Sequence, residues 1–236
     1  MKKYRIQIVK LGHQRHNYVF KKIAKYKSDI FDITISDKVD LPDTDSDWAY
    51  STNLIGEILL DRFDSEKYDI CIGFLDHRLD GNVYRNCYGS NIKDHKVFVA
   101  SFFQMADYLA EENINLLNYV LVIIYRYLTR FIMKDSIKHD ETRGCINDMC
   151  GTKAEIVHSC KEPRLCQSCE EKMGNKEFPV NYIDLLKKEL KKIKKPIYHR
   201  IAVFIRRHPI LSILTAAFST IGLGLLTNMI FYFLIN

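Results

Sequence analysis

Five of the chain's seven cysteines fall within 25 residues, CINDMCGTKAEIVHSCKEPRLCQSC, from Cys145 to Cys169. Cys145 and Cys150 are spaced C-x4-C, and Cys166 and Cys169 are spaced C-x2-C. Two short-spaced thiol pairs let two tight turns each present two sulfurs, which together make a tetrahedral site for zinc. Thiolates are soft and suit zinc over magnesium or calcium. The expected ligands are Cys145, Cys150, Cys166 and Cys169, with Cys160, His139 and His158 as substitutes for one of them. Four protein ligands close the coordination sphere, so such a zinc holds a fold together and activates no water. Buried free thiols are the plainer alternative, and the density of cysteines argues against it. Cys71 and Cys87 stand apart, and Cys71, in an apolar run, reads as core.

Two further clusters carry reactive side chains. His139, Asp140 and Glu141, in KHDETRGC beside Arg143, lie just ahead of the cysteines. His139 and Glu141 are the candidates for acid–base work. The favoured reading is that His139 packs on the zinc knuckle or lies on a solvated loop. His13 and His16 flank Arg15 in LGHQRHNY. That loop suits an anion such as phosphate, and equally a solvated turn. There is no G-x-x-x-x-G-K, G-x-G-x-x-G or G-x-S-x-G, so no nucleotide cradle or hydrolase elbow is legible.

The elements that position these residues follow from periodicity. YRIQIVKL (4–11) and FDITISD (31–37) alternate as strands, with helical spacing between them at 17–27. VDLPDTDSDWAYS (39–51) is a loop, and STNLIGEILLDRF (51–63) an amphipathic helix behind an N-cap-type Ser/Thr. YDICIGFLD (68–76) is apolar enough for a central strand. A hairpin or loop over 76–95 and a strand over 96–102 follow. LLNYVLVIIYRYLTRFIM (116–133) reads as a core helix, because Arg126 and Arg130 interrupt it too heavily for a membrane span. The order indicates an α/β or α+β domain with a mixed sheet over 1–135, followed by a Cys-rich module over 136–175.

This succession resembles the archaemetzincins, zinc-peptidase-like proteins with a metzincin α/β fold. It runs from the central strand through Cys87-Tyr88-Gly89, an edge strand and the long helix to C-x4-C and C-x2-C, within residues 4–172. The resemblance implies a zincin-like fold with a four-cysteine structural zinc. It implies no peptidase activity. The family carries HExxHxxGxxH on its long helix, where two His at i and i+4 chelate zinc and the Glu acts as base. Here that helix holds no histidine, Arg126 and Arg130 stand at i and i+4, and Gly144 precedes Cys145. A guanidinium stays protonated and ligates no metal.

The formal charge of +6 is concentrated in one segment. Between Lys187 and Arg207 there are nine Lys/Arg and one acid, Glu189. This argues against a nucleic-acid-binding face over the whole protein. The segment 176–208 reads as a basic juxtamembrane helix, with Lys187, Lys188, Lys191, Lys192, Lys194, Lys195, Arg206 and Arg207 toward anionic lipid of the inner leaflet. Pro196 breaks or kinks it. Residues 209–236 contain no charge and exceed the roughly 20 residues that cross a bilayer. By the positive-inside rule the expectation is a single-pass, tail-anchored protein of the inner (cytoplasmic) membrane, with its N-terminal part in the cytoplasm. The opening MKKYRIQIVKLGHQRHNY has too short an apolar run for a signal peptide. Ser212, Ala216, Ser219 and Asn228 give the span packing and hydrogen-bonding residues for self-association.

The combined expectation is a non-catalytic sensor or effector. A zinc-stabilised cytoplasmic domain receives a ligand or protein, and the spans oligomerise and perturb the membrane, as in a toxin-like or antiviral defence effector. The alternative is a membrane-tethered hydrolase or peptidase with an atypical site around His139 and Glu141.

Overall fold

A computed structural model describes residues 2–44, 49–80, 96–134, 137, 139, 144–175, 181–193 and 197–235. The chain divides into two units, Met1–Lys194 and Lys195–Asn236.

The first unit opens with β1 (Tyr4–Leu11), α1 (Asn17–Ile23), β2 (Phe31–Val39), β3 (Ala49–Ser51), α2 (Thr52–Arg62), β4 (Ile70–Leu75), β5 (Arg78–Asp80) and β6 (Val97–Ser101). It continues with α3 (Met105–Glu111), α4 (Leu116–Met133), α5 (Lys153–Lys161), α6 (Gln167–Gly174) and α7 (Tyr182–Lys192). Four strands form a sheet in the order β2-β1-β4-β6, and β3 pairs with β5. The class is α/β, as expected. Every described pairing is parallel, however, where a mixed sheet was the expectation. Residues 81–95, including Cys87, Tyr88 and Gly89, lie outside the described residues. The helix α3 went unread in the sequence, being only two turns long with one apolar flank.

Alternation sorts the sheet into two buried faces. Ile6 and Ile8 of β1, Ile70, Ile72 and Phe74 of β4, and Phe98 of β6 join α1 and α4 in the larger core. Val9 and Leu11, Cys71 and Leu75, and Val97 and Val99 point the other way, onto Ile55 and Leu59 of α2. The helix α2 lies close to the sheet because β4 carries Gly73. A Cβ there would come within 2.7 Å of both Leu11 and Leu59.

Helix α4 begins where Asn115 accepts a hydrogen bond from the Leu117 N–H at 2.9 Å, and it ends at Lys134 in the left-handed region. It is buried nearly all round, Arg126 and Arg130 included. The Cys-rich segment shares its core: Cys145, Ile146, Cys150 and Cys169 lie in the same apolar cluster as the helix.

Helix α7 also belongs to this unit. Tyr182, Leu186 and Leu190 are buried, and so is Glu189. The Glu189 carboxylate accepts from Ser28 Oγ at 2.6 Å, from the Asp29 N–H and from Tyr125 Oη. Lys187 pairs with Glu170 at 2.9 Å, while Lys188, Lys191 and Lys192 are exposed. The expected basic helix is thus two helices, and its first half spends its apolar face on the α/β core. Lys194, Lys195 and Pro196 lie outside the described residues.

The second unit consists of α8 (Ile197–Arg207) and α9 (Pro209–Ile235). Helical bonding continues up to the junction, since His208 N–H donates to Phe204 O at 2.9 Å and Ser212 N–H to His208 O at 3.0 Å. Pro209 occupies the first position of α9, where its missing N–H costs nothing.

Candidate metal centre

Two short bridges assemble the site. His139 lies in a parallel bridge with Asp148, and Cys145 in one with Arg164, just before the second cysteine pair. Gly144, at φ +77°, supplies the left-handed turn that enters the first knuckle. Cys166 is the N-cap of α6 and Cys169 sits in its first turn, so the positive end of that helix faces both sulfurs.

One ligand atom from each of His139, Cys145, Cys166 and Cys169 comes within 4.8 Å of every other. The Cys145 and Cys169 sulfurs are 3.7 Å apart, and Cys166 Sγ is 3.4 Å from His139 Nε2. A tetrahedron with Zn–S of about 2.3 Å and Zn–N of about 2.0 Å has edges of roughly 3.8 and 3.5 Å. The donor set and these edges fit a structural zinc. Three thiolates and one imidazole would close the sphere of such an ion, and it would supply cross-linking only.

The surrounding groups orient these ligands. His139 Nδ1 is 3.1 Å from an Asp148 carboxylate oxygen, which leaves Nε2 to face the sulfurs. The other Asp148 oxygen accepts from the Cys145 N–H at 3.0 Å. Asn147 donates its backbone N–H to Cys145 Sγ at 3.5 Å and its side-chain amide to Cys169 Sγ at 3.7 Å. The contact with Cys169, then the Asn147 N–H, hold the Cys145 thiol down at about 5 against the effect of burial. Its partner Cys169 is pushed up by that same contact.

The expected four-cysteine set is corrected at one position, where His139 takes the place of Cys150. Cys150 turns into the core, and its sulfur accepts from Arg126 Nη2 at 3.2 Å. Arg126 also donates Nε to the Ile146 carbonyl. A fully buried guanidinium needs acceptors, and the knuckle provides them. Of the other substitutes, His158 is exposed on α5. Cys160 is buried away from the cluster, and its thiol is raised by burial. Among the acid–base candidates, Asp140, Glu141 and Arg143 lie outside the described residues. His139, the remaining candidate and also one of the expected substitute ligands, stands in the metal-ligand group. Asp148, Asn147 and Arg126 were missed. The signal for Arg126 was present, as a charge in an otherwise apolar helix must find partners.

The fold is similar to that of the crystal structure of archaemetzincin from Methanopyrus kandleri. The identity is 16% and the TM-score 0.53, over 80% of this chain and 96% of that one. Archaemetzincin from Archaeoglobus fulgidus, crystallised with malonate, matches at 14% identity and a TM-score of 0.49, over 71% of this chain and 99% of that one. No protein-family model and no curated protein matches the chain. The protein therefore has a distant archaemetzincin-like fold with a four-residue metal site.

Proposed function

We propose that this is a membrane-anchored, non-catalytic sensor or effector, in which a zinc-stabilised α/β unit receives a cytoplasmic ligand and the spans act on the bilayer. One observation carries this reading. Pro209–Tyr232 forms 24 residues of helix apolar enough to cross a membrane, none of it buried. The preceding α8 supports it, with Ile197, Tyr198, Ile201, Phe204 and Ile205 exposed alongside the basic Arg206 and Arg207. An amphipathic helix of that kind enters the headgroup boundary of an anionic leaflet. The lack of HExxH and the engagement of His139 in the metal cluster support a non-catalytic role.

The span residues support self-association. Ser219 and Thr220 return their hydroxyls to carbonyls of their own helix at 2.7 and 2.9 Å, and Ser212 to the His208 carbonyl just before it at 2.8 Å, so these small side chains present no unmet polar group to lipid. With Ala216 they permit a close helix–helix approach.

The test is to express the full chain and a version with 210–235 replaced by an inert Leu/Ala helix. Both should resist carbonate extraction from membranes, and only the native span should depolarise them. Equal depolarisation by the replacement ends the span-driven reading. Release of the native chain by carbonate ends the anchor itself.

A further inference from the structure

The strand order β2-β1-β4-β6 contains a reversal between β1 and β4. From β1 the chain passes into α1, whose Val19, Phe20 and Ile23 pack on the larger core. From β4 it passes to Leu79, which packs on the opposite face. Two adjacent parallel strands whose outgoing connections part to opposite faces leave a crevice at their carboxyl ends, the position where open α/β sheets take ligands.

The residues at this crevice are basic, and their backbone is held. Gly12, at φ +65°, turns the chain out of β1. Gln14 Nε2 donates to the Leu11 carbonyl at 2.7 Å and to the Phe74 carbonyl at 2.9 Å, tying the two strand ends together. The Arg15 N–H donates to the Asp76 carboxylate. The His77 carbonyl accepts from Ser101 Oγ at 2.6 Å, and the His77 ring stands edge-on to Tyr50 at 5.4 Å. The His16 ring meets Phe102 at 6.0 Å. His13 and Arg15 are exposed, and the Arg15 guanidinium makes no ion pair among the described residues.

Asp76, beside these residues, accepts a backbone N–H, and the exposed Arg15 lies between His13 and His16 in sequence. Among the described residues the only His/Cys/Asp/Glu group with converging donor atoms is the one at His139. We infer that the crevice between β1 and β4 binds a phosphate group, with Arg15 as its charged anchor and His13 and His77 as flanking donors. A guanidinium presents forked donors to phosphate oxygens, and imidazoles add directed N–H bonds. This deepens the proposed ligand-sensing role, and the measurement below is independent of the span.

The experiment is a titration of the full chain in phosphatidylcholine nanodiscs with inorganic phosphate, followed by histidine side-chain NMR. Saturable shifts at His13 and His77 are expected, with affinity lowered about tenfold in Arg15→Ala and largely kept in Arg15→Lys. His77→Gln should weaken binding by a smaller factor. Competition by phosphatidic acid in the nanodisc would assign the group to a lipid headgroup, and its absence to a soluble phosphomonoester. Shifts that fail to saturate, or an unchanged affinity in Arg15→Ala, would overturn the site. Either result leaves the depolarisation experiment standing.

Discussion

The His139 imidazole is held between Asp148, 3.1 Å from Nδ1, and Cys166, whose sulfur is 3.4 Å from Nε2. A carboxylate behind a ligating histidine fixes its tautomer and raises its basicity. Asp148→Asn should therefore keep one zinc per chain at saturation but weaken affinity by about 10–100-fold. Competition with a chromogenic chelator measures this directly. An unchanged affinity would mean that Asp148 serves only the Cys145 turn.

The exchange of Cys150 for His139 gives a sharper test. Elemental analysis of purified protein should find zinc lost in His139→Ala and in Cys166→Ser, and retained in Cys150→Ser. The last variant should instead lose stability, because it alters the acceptor of the buried Arg126. Zinc loss in Cys150→Ser with retention in His139→Ala would restore the four-cysteine set.

That exchange marks where sequence reading gave out. The strands β1 and β4 and the helix α4 were legible within two residues at each end, because alternation and apolar runs report burial directly. The second pair, Cys166 and Cys169, was legible because two residues of spacing leave the chain few geometries. The first pair was not. Four residues of spacing between Cys145 and Cys150 allow a turn that returns the chain, and the hydrogen bond from Asp148 N–H to the Cys145 carbonyl makes that turn. Cys150 then faces Arg126, which lies 24 residues earlier in the chain. The parallel pairing of all described strands and the docking of α7 through Glu189 are likewise non-local. Composition marked Lys187–Lys192 only as basic.

Burial of Cys71 on β4 pushes its thiol up to about 12. The unfolded chain releases this proton near pH 8.5. The folded-state value is the higher one, so the Cys71 contribution is fully present below about pH 8.5 and is lost as pH rises toward 12. The expected slope for this one group is about 1.4 kcal/mol per pH unit. Urea unfolding in detergent micelles should show stability falling above pH 8.5, less steeply in Cys71→Ala. The thiol should also resist iodoacetamide in the folded protein, and rapid native-state alkylation would contradict its burial.

Glu189 joins the last helix of the first unit to the strand-entry residues Ser28 and Asp29 and to Tyr125 of the core helix. Glu189→Ala leaves those donors without their acceptor, at a cost of about 2–4 kcal/mol. Hydrogen exchange should accelerate over 182–192 and 28–30, while 70–75 stays protected. Uniform acceleration across the unit would show that α7 unfolds with the sheet, not as a latch of its own.

Asn228 carries the carboxamide of the span. Ser212, Thr215, Ser219, Thr220 and Thr227 each donate to a carbonyl four residues back. An asparagine amide has more hydrogen-bonding capacity than such a bond would use, and in lipid it gains by pairing with another chain. Interhelical hydrogen bonds in membranes average about 0.6 kcal/mol. Asn228→Leu should accordingly reduce the self-associated fraction by roughly two- to threefold in dissociation constant. Ala216→Leu, which blocks close approach, should reduce it further. Cross-linking of the full chain in nanodiscs at graded protein-to-lipid ratios measures both. Association that survives both substitutions unchanged would place the contact between chains outside the span.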